Sequence, residues 1–160
     1  MHRVDAILQN LMYRETLQQI ELCEQDRIFC KHTMTHLLDV ARIAMIFNLK
    51  ENLGIREDVI YAAALLHDIG RCQPDNQGAP HEVISTQIAE NILIDCTYHQ
   101  AERIIILEAI SSHRDVTAIG QPNLSGILYR ADKASRACYL CPVAQQCNWQ
   151  DDKKNHSLVQ

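Results

Sequence analysis

One stretch near the middle of the chain restricts the fold more than any other. Residues 59–66, with the sequence VIYAAALL, are apolar almost throughout, so a helix formed by them is expected to be buried on nearly every face. This helix runs directly into His67 and Asp68, and Gly70 is expected to end it in a left-handed conformation. A central helix would thus carry two polar side chains to the core, where they need partners because unpaired buried charge is costly.

The rest of the chain also favours helices. Only 5 Gly and 4 Pro occur in 160 residues, and aromatic residues make up 5%, so a core of Ile, Leu, Val and Ala on helices is favoured over a many-stranded fold. We predict an all-α, compact helical bundle with about six core helices and a turn at 71–79. The predicted helices span about residues 4–22, 26–49, 56–68, 80–95, 100–113 and 122–137. A single domain of residues 1–160 is expected, with its core at roughly 26–137 and a short cysteine-containing tail at 138–160.

The charge and the absence of apolar segments limit the partners. The net charge of −5 gives no general attraction to nucleic acid or to anionic membranes. A phosphate-bearing ligand would therefore need local positive charge from a metal ion or from placed Lys and Arg side chains. The first ten residues have no apolar signal core, and no stretch reaches transmembrane length. We expect a cytoplasmic protein with no membrane partner and no extended nucleic-acid surface. The sequence leaves the oligomeric state open, and a homodimer is one of the alternatives.

Several His and Asp side chains are predicted to point into the core, because helical periodicity aligns them with apolar residues of their own helices. A single inward His is more often a hydrogen-bonded core residue than a metal ligand. Four histidines and two aspartates on facing core stripes are instead explained together by one metal centre, since imidazole and carboxylate are preferred by Fe, Mn and Zn. The set consists of His36, His67, Asp68, His81, His113 and Asp132.

Three segments resemble the HD superfamily of metal-dependent phosphohydrolases. They are HLLDVA at 36–41, ALLHDIG at 64–70 and ADK at 131–133. Because His81 and His113 fall between the second and third segments, the pattern is similar to the H…HD…H…H…D variant found in bacterial HD-type diadenosine tetraphosphate hydrolases. The resemblance covers roughly residues 26–136 and implies the helical bundle of the HD domain.

The resemblance also implies a ligand set and a reaction. One divalent ion would be held by His36, His67, Asp68 and Asp132, and Asp68 would bridge to a second ion at His81 and His113, both ions being Fe, Mn or similar. Water activated by the metal would cleave a phosphate ester or anhydride of a small nucleotide or phosphorylated metabolite, and Asp68 could also orient that water.

Basic residues near the implied ligands are candidates for binding substrate phosphate. Arg71, Arg114 and Lys133 closely follow ligand residues in the sequence, with ordinary surface charge as the alternative interpretation. His32 precedes His36 by one helical turn and could support a ligand, shuttle protons or fill the core. Arg27 is a further candidate for anion contact.

The chain has seven cysteines, and their odd number without an export signal argues against a disulfide framework. The scattered residues Cys23, Cys30, Cys72 and Cys96 are expected to be free, buried thiols. The remaining three form a C-x2-C-x5-C pattern: Cys138, Cys141 and Cys147. This pattern could bind zinc or an iron–sulfur centre with Cys72, Cys30 or Cys96 as the fourth ligand, or it could be a set of reduced thiols. We favour a structural clip that closes the C-terminal tail over the bundle.

Two further classes of function share this ligand pattern. A non-catalytic HD module could use the metal centre structurally or to sense a ligand, metal or redox state for a partner protein. An HD-type oxygenase with a di-iron centre would use the same ligands. The sequence favours the hydrolase, because a structural site would not need six ligands with open positions.

Overall fold

The computed structural model describes residues 1–73 and 78–158, and in these ranges the chain forms seven α-helices, four 3₁₀ turns and no strand. The predicted all-α class is therefore confirmed. The helices are α1 His2–Gln9, α2 Leu11–Cys23, α3 Met34–Lys50, α4 Glu57–Leu66, α5 His81–Asp95, α6 Gln100–Ser112 and α7 Leu124–Ala134. The 3₁₀ turns are Val116–Ala118, Cys138–Leu140, Ala144–Gln146 and Asp151–Lys153.

Helix α4 lies at the centre of the bundle, as its apolar sequence predicts. It packs against α1, α3, α5, α6 and α7, and Val59, Ile60 and the residues 62–66 are all at most 2% exposed. The other strong packing partners are α3 with α7, α5 with α6, and α6 with α7. Because every neighbour of α4 contributes apolar side chains to the same core, the residues that follow its last turn are delivered to the middle of the molecule.

Two helix boundaries differ from the prediction. The first predicted helix is broken at Asn10, whose extended backbone ends α1 and whose side-chain oxygen accepts a hydrogen bond of 3.1 Å from the amide of Tyr13 to begin α2. The second predicted helix begins later, at Met34 after Thr33. Residues 24–33 thus form a connection rather than helical turns, and His32 precedes α3 instead of lying on it.

Buried ion pairs fix α1 to the bundle. Arg3 donates hydrogen bonds to Asp58 of α4 and to both carboxylate oxygens of Glu102 of α6. The hydrogen bond from Arg3 is the main cause that lowers the pKa of Glu102 to about 2. One guanidinium group therefore joins three helices at the end of the bundle opposite to the last residues of α4.

A disulfide joins Cys23 at the end of α2 to Cys72, with the two Cα atoms 6.2 Å apart. The prediction of free thiols is therefore wrong for these two cysteines. Cys30 is free as predicted, but the prediction that it is buried is wrong because it is exposed, whereas Cys96 is both free and buried as predicted. The two cysteines are 49 residues apart in the sequence, so their pairing depends on the tertiary fold and cannot be read from local patterns.

In the two described ranges, no helix combines the length and the apolar character needed to cross a bilayer. The predicted turn at 71–79 lies in part outside the described residues, as do the last two residues of the predicted tail.

Gly70 does not have the predicted left-handed conformation, since the glycines with positive φ are Gly54 and Gly78. A close approach of two backbones explains the small residue instead. A Cβ atom at position 70 would overlap the amide nitrogen of Ser85, and it would lie 2.6 Å from the carbonyl oxygen of His81 and 2.8 Å from the carbonyl carbon of Ile84. The Gly70 amide also donates a 2.9 Å hydrogen bond to the hydroxyl of Ser85. The turn after α4 therefore packs directly against the first turns of α5 and is hydrogen-bonded to them.

We predict that Gly70→Ala lowers the free energy of unfolding by about 1–3 kcal/mol, because backbone atoms must move to admit the methyl group. The matched control is Gly120→Ala, where nothing lies within 4 Å of the added Cβ, and a change within about 0.5 kcal/mol is expected there. Urea unfolding of both variants measures the difference. Equal stability of the two variants would contradict the close packing.

Candidate metal centre

Five helices bring the six predicted ligands to one place. His36 lies in the first turn of α3, His67 and Asp68 directly follow α4, and His81 is the first residue of α5. His113 follows the last residue of α6, and Asp132 lies near the end of α7. Helix ends predominate because a side chain there can reach the interior without displacing a full turn of apolar residues.

The ligand atoms form two groups, each with three atoms within 4.8 Å of one another. The first group consists of His36, His67 and Asp132, and the second consists of Asp68, His81 and His113. In the first group, Asp132 Oδ1 lies 3.7 Å from His36 Nε2 and 3.9 Å from His67 Nε2. In the second group, the Nε2 atoms of His81 and His113 are 3.2 Å apart.

Asp68 lies between the two groups and turns one carboxylate oxygen to each. Its Oδ2 atom is 3.7 Å from His36 Nε2 and 3.2 Å from His67 Nε2. Its Oδ1 atom is 3.0 Å from His81 Nε2 and 3.5 Å from His113 Nε2. Burial by itself would raise the pKa of this carboxyl, but the charges of the surrounding histidines, His67 first, lower it well below its usual value.

The histidine rings are oriented so that Nε2 faces the centre. Nδ1 of His67 bonds to the carbonyl oxygen of Ala64 at 2.7 Å, and Nδ1 of His113 bonds to that of Ile110 at 2.6 Å. Nδ1 of His36 lies 3.2 Å from the hydroxyl of Ser135. Partners of this kind fix ring orientation and tautomer at metal sites.

Unpaired buried atoms at the centre fit a bound cation. Among the residues that the structure describes, Nε2 of His36, Nε2 of His67 and Oδ1 of Asp68 are buried without a hydrogen bond, although Oδ1 has ion-pair contacts of 2.9 Å with Arg71 Nε and 3.0 Å with His81 Nε2. Such atoms are costly to leave unsatisfied. Imidazole nitrogen and carboxylate oxygen are ligands that suit Fe, Mn and Zn, so the donor set and its missing partners fit a divalent metal at each group.

His32 also reaches this centre, although it lies before α3. Its Nδ1 atom is 2.6 Å from Glu24 Oε1, and its backbone amide donates a 2.7 Å hydrogen bond to Glu24 Oε2. Its Nε2 atom then lies 3.6 Å from Asp68 Oδ2. Burial would raise the pKa of Glu24, yet the hydrogen bonds from His32 lower it. Sequence analysis missed Glu24, because a carboxylate in a non-helical connection leaves no periodic signal.

The predicted phosphate contacts all line the cleft next to the ligands, which has a volume of about 280 Å³. Two of them are already engaged with ligand carboxylates: Arg71 Nε lies 2.9 Å from Asp68 Oδ1, and Lys133 Nζ lies 2.5 Å from Asp132 Oδ2. Burial would raise the pKa of Asp132, but the charges of His67 and Lys133 lower it overall. Arg71 and Lys133 therefore help to hold the carboxylates charged and in position.

Other side chains at the rim of the cleft are freer to meet a ligand. The side chain of Arg114 is 57% exposed, and its ion pair with Glu82 is long, with 3.4 Å between Nη1 and Oε2. Arg27 also lines the cleft, as predicted for an anion contact. Arg136 and Trp149 complete the rim, and neither was singled out as a site residue, because the tail that carries Trp149 has no helical pattern to orient it.

The cysteine-rich tail lies beside this cleft. Cys138, Cys141 and Cys147 are free and partly exposed. Of the three cysteines considered as a fourth ligand, Cys72 is consumed by the disulfide and Cys96 is buried at the end of α5. Cys30 lines both the cleft and the neighbouring cavity that the tail cysteines enclose.

Comparison with known proteins agrees with the fold and the centre. The HD domain family model matches residues 33–137, a span that contains all six candidate ligands. The chain belongs to the HD domain family. It is similar to an uncharacterized protein of Clostridium beijerinckii, with 42% identity over 158 residues, or 99% of each chain. No solved structure matches the chain.

We predict that Mn²⁺ stabilises the wild-type protein against thermal unfolding but does not stabilise the variant His67→Ala/Asp68→Ala. Saturation at roughly 100 times the Kd contributes about 2.7 kcal/mol, which calorimetry detects as a higher Tm. The control variant is Asp151→Ala/His156→Ala, which removes an exposed His–Asp pair in the tail and should keep the full shift. An equal shift in all three proteins would place the metal elsewhere.

Proposed function

We propose that this protein is a metal-dependent phosphohydrolase that holds two divalent ions, such as Fe or Mn, at the candidate centre. Membership of the HD family suggests metal-dependent phosphohydrolase chemistry. The observation that carries the proposal furthest is the position of Asp68, whose two oxygens face two separate groups of ligand atoms. A bridging carboxylate of this kind suits a pair of ions better than one.

The six candidate ligands divide between the two proposed ions. His36, His67 and Asp132 would hold one ion, His81 and His113 the other, and Asp68 would bridge them. Bound ions would supply Lewis acidity, lowering the pKa of a water molecule and offsetting charge on the phosphate.

The remaining residues position the ligands and recognise the substrate. Arg71 and Lys133 orient the carboxylates that they pair with, and Glu24 aims the ring of His32 at Asp68. Arg71 and Lys133 could also contact substrate phosphate, because bound metal would offset the charge of the carboxylates with which they pair. The narrow cleft excludes a long polymer and suits a terminal phosphate group.

The rim of the cleft favours a nucleotide-like substrate. Arg27, Arg114 and Arg136 provide positive charge for one or more phosphates. Trp149, whose side chain is 45% exposed, lies at the same rim and 4.5 Å from the guanidinium of Arg136. Arg136 covers one face of this ring, and a partly exposed aromatic ring beside phosphate-binding cations is suited to stack on a nucleobase with its other face.

We predict that Asp68→Asn lowers kcat/KM by more than about 100-fold, because an amide cannot bridge two cations as a carboxylate does. The matched control is Asp39→Asn, which changes an aspartate of α3 whose side chain is 44% exposed and lies 3.6 Å from Arg42. Phosphate release from a panel of nucleotides and simple phosphate esters, with Mn²⁺ or Fe²⁺ supplied, measures both variants. Wild-type protein that binds metal but hydrolyses none of the panel would favour the sensing module, and turnover that consumes O₂ would favour the oxygenase.

We predict that Trp149→Ala raises KM for a nucleotide substrate at least about fivefold and leaves KM for glycerol phosphate unchanged, since a stacked base contributes about 1–3 kcal/mol. Tyr139→Ala is the control, because this aromatic residue of the same tail is 42% exposed and lies outside the cleft. Equal effects on both substrates would show that Trp149 supports the tail and does not contact a base.

A further inference from the structure

The C-terminal tail has too little apolar burial to explain its ordered path. Between residues 138 and 158, no side chain is buried, and the regular structure is limited to three 3₁₀ turns of three residues each. Fixing a backbone costs about 1–2 kcal/mol per residue. A segment of this length therefore needs a source of stability other than a hydrophobic core, and small metal sites commonly supply it.

Polar contacts return the end of the tail to α7. The side-chain amide of Asn155 donates hydrogen bonds of 2.8 Å to the carbonyl oxygens of Lys133 and Arg136, and one of 3.3 Å to that of Ala134. The tail between the end of α7 and Asn155 therefore forms a loop, and its three cysteines lie in or next to the 3₁₀ turns of this loop. The Cys141 amide donates to the Cys138 carbonyl at 3.2 Å, and the Cys147 amide donates to that of Ala144 at 3.4 Å.

A fourth free cysteine meets the three of the tail. Cys30, from the connection before α3, lines the same cavity as Cys138, Cys141 and Cys147. This cavity has a volume of about 790 Å³. Burial raises the pKa of the Cys30 thiol, and the three tail cysteines are near enough to raise it further, against the influence of Arg136. A cavity that gathers four thiols, and in which the charged form of the Cys30 thiol is disfavoured, would be stabilised by a bound cation, because a bound metal deprotonates a coordinating thiol outright.

The charges around the cavity suit an anionic metal–thiolate centre. Four cationic side chains line it, against the single carboxylate of Asp39. The four are Arg27, Lys31, Arg136 and Lys154. Nearby cations stabilise thiolates, whereas an empty cavity of this kind would place repelling positive charges around apolar walls.

Among the described residues, the cysteine sulfurs are not grouped as closely as the four thiolates of a single zinc ion would be. Four thiolates around one Zn²⁺, each about 2.3 Å from the metal, would lie roughly 3.8 Å from one another. In the described part of the chain, no three cysteine sulfurs lie within 4.8 Å of one another, although the His/Asp groups do. An iron–sulfur cluster places several iron atoms between its thiolates, so it requires a wider arrangement of the same four ligands.

We propose that Cys30, Cys138, Cys141 and Cys147 bind an iron–sulfur cluster that fastens the C-terminal tail to the connection before α3. The four cysteines are different residues from the six His and Asp ligands, although His36 also lines this cavity, and the argument for the cluster does not rest on the proposed hydrolysis. It also shapes the cleft, because Cys30, Arg136 and Trp149 line both the cavity and the cleft. The cluster would thus hold one wall of the substrate site in place.

The test is anaerobic purification followed by measurement of visible absorption and acid-labile sulfide. Wild-type protein should contain about two to four sulfides per chain, a component that a His/Asp-bound metal centre lacks. Cys30→Ala should lower the sulfide content severalfold, and it removes no side chain from the hydrophobic core because Cys30 is exposed. Cys96→Ala, which removes a free cysteine outside the cavity, should keep the wild-type content.

A second measurement follows the tail itself. Trypsin should cleave at Lys153 and Lys154 faster in Cys30→Ala than in the wild-type or Cys96→Ala proteins, because loss of the cluster frees the tail. The variant His67→Ala/Asp68→Ala should retain its sulfide, which separates this proposal from the hydrolase. Zinc bound at the cysteines without sulfide would overturn the cluster, and wild-type sulfide content in Cys30→Ala would overturn the assignment of the fourth ligand.

Discussion

The structure depends on a carboxylate that must stay charged inside an apolar bundle. Asp68 follows the most completely buried helix of the chain, and it is 2% exposed. A lone charge in this position would destabilise the fold by several kcal/mol. The surrounding elements stabilise the charge of Asp68. Histidine nitrogens from four helices or their ends lie near its carboxylate, and so does Arg71 from the turn after α4. The bundle is thus organised around the electrostatic needs of one residue as much as around its hydrophobic core.

This requirement also explains why the ligands lie at helix ends. A histidine at the first or last turn can direct Nε2 to the centre while Nδ1 bonds to a nearby carbonyl, as His67 and His113 do. The apolar residues of each helix remain free to pack against α4. Polar chemistry and core packing therefore occupy the same few turns without competing for the same positions.

Much of this arrangement follows from the sequence, because burial and periodicity are local properties. The apolar run before His67 predicts the central helix, and the inward stripes predict that six distant side chains converge, which the structure shows them to do. Their service as metal ligands stays a prediction. Nonlocal features were missed for a common reason: the Cys23–Cys72 pairing, the Glu24–His32 contact and the position of Trp149 depend on connections without periodicity. Asn10 was missed because a single capping residue interrupts an otherwise helical pattern.

Gly70 is in direct backbone contact with the first turns of α5, although the connection from α4 to α5 lies between them in the sequence. Since the backbone at Gly70 packs directly on that of His81 and Ser85, the distance between the two ligand groups is set by this contact and not by the residues that connect α4 to α5. We therefore expect that the connection can change in length or composition while the spacing of the two groups of candidate ligands is preserved. A scaffold of this kind can diversify what enters its cleft without altering the chemistry beneath it.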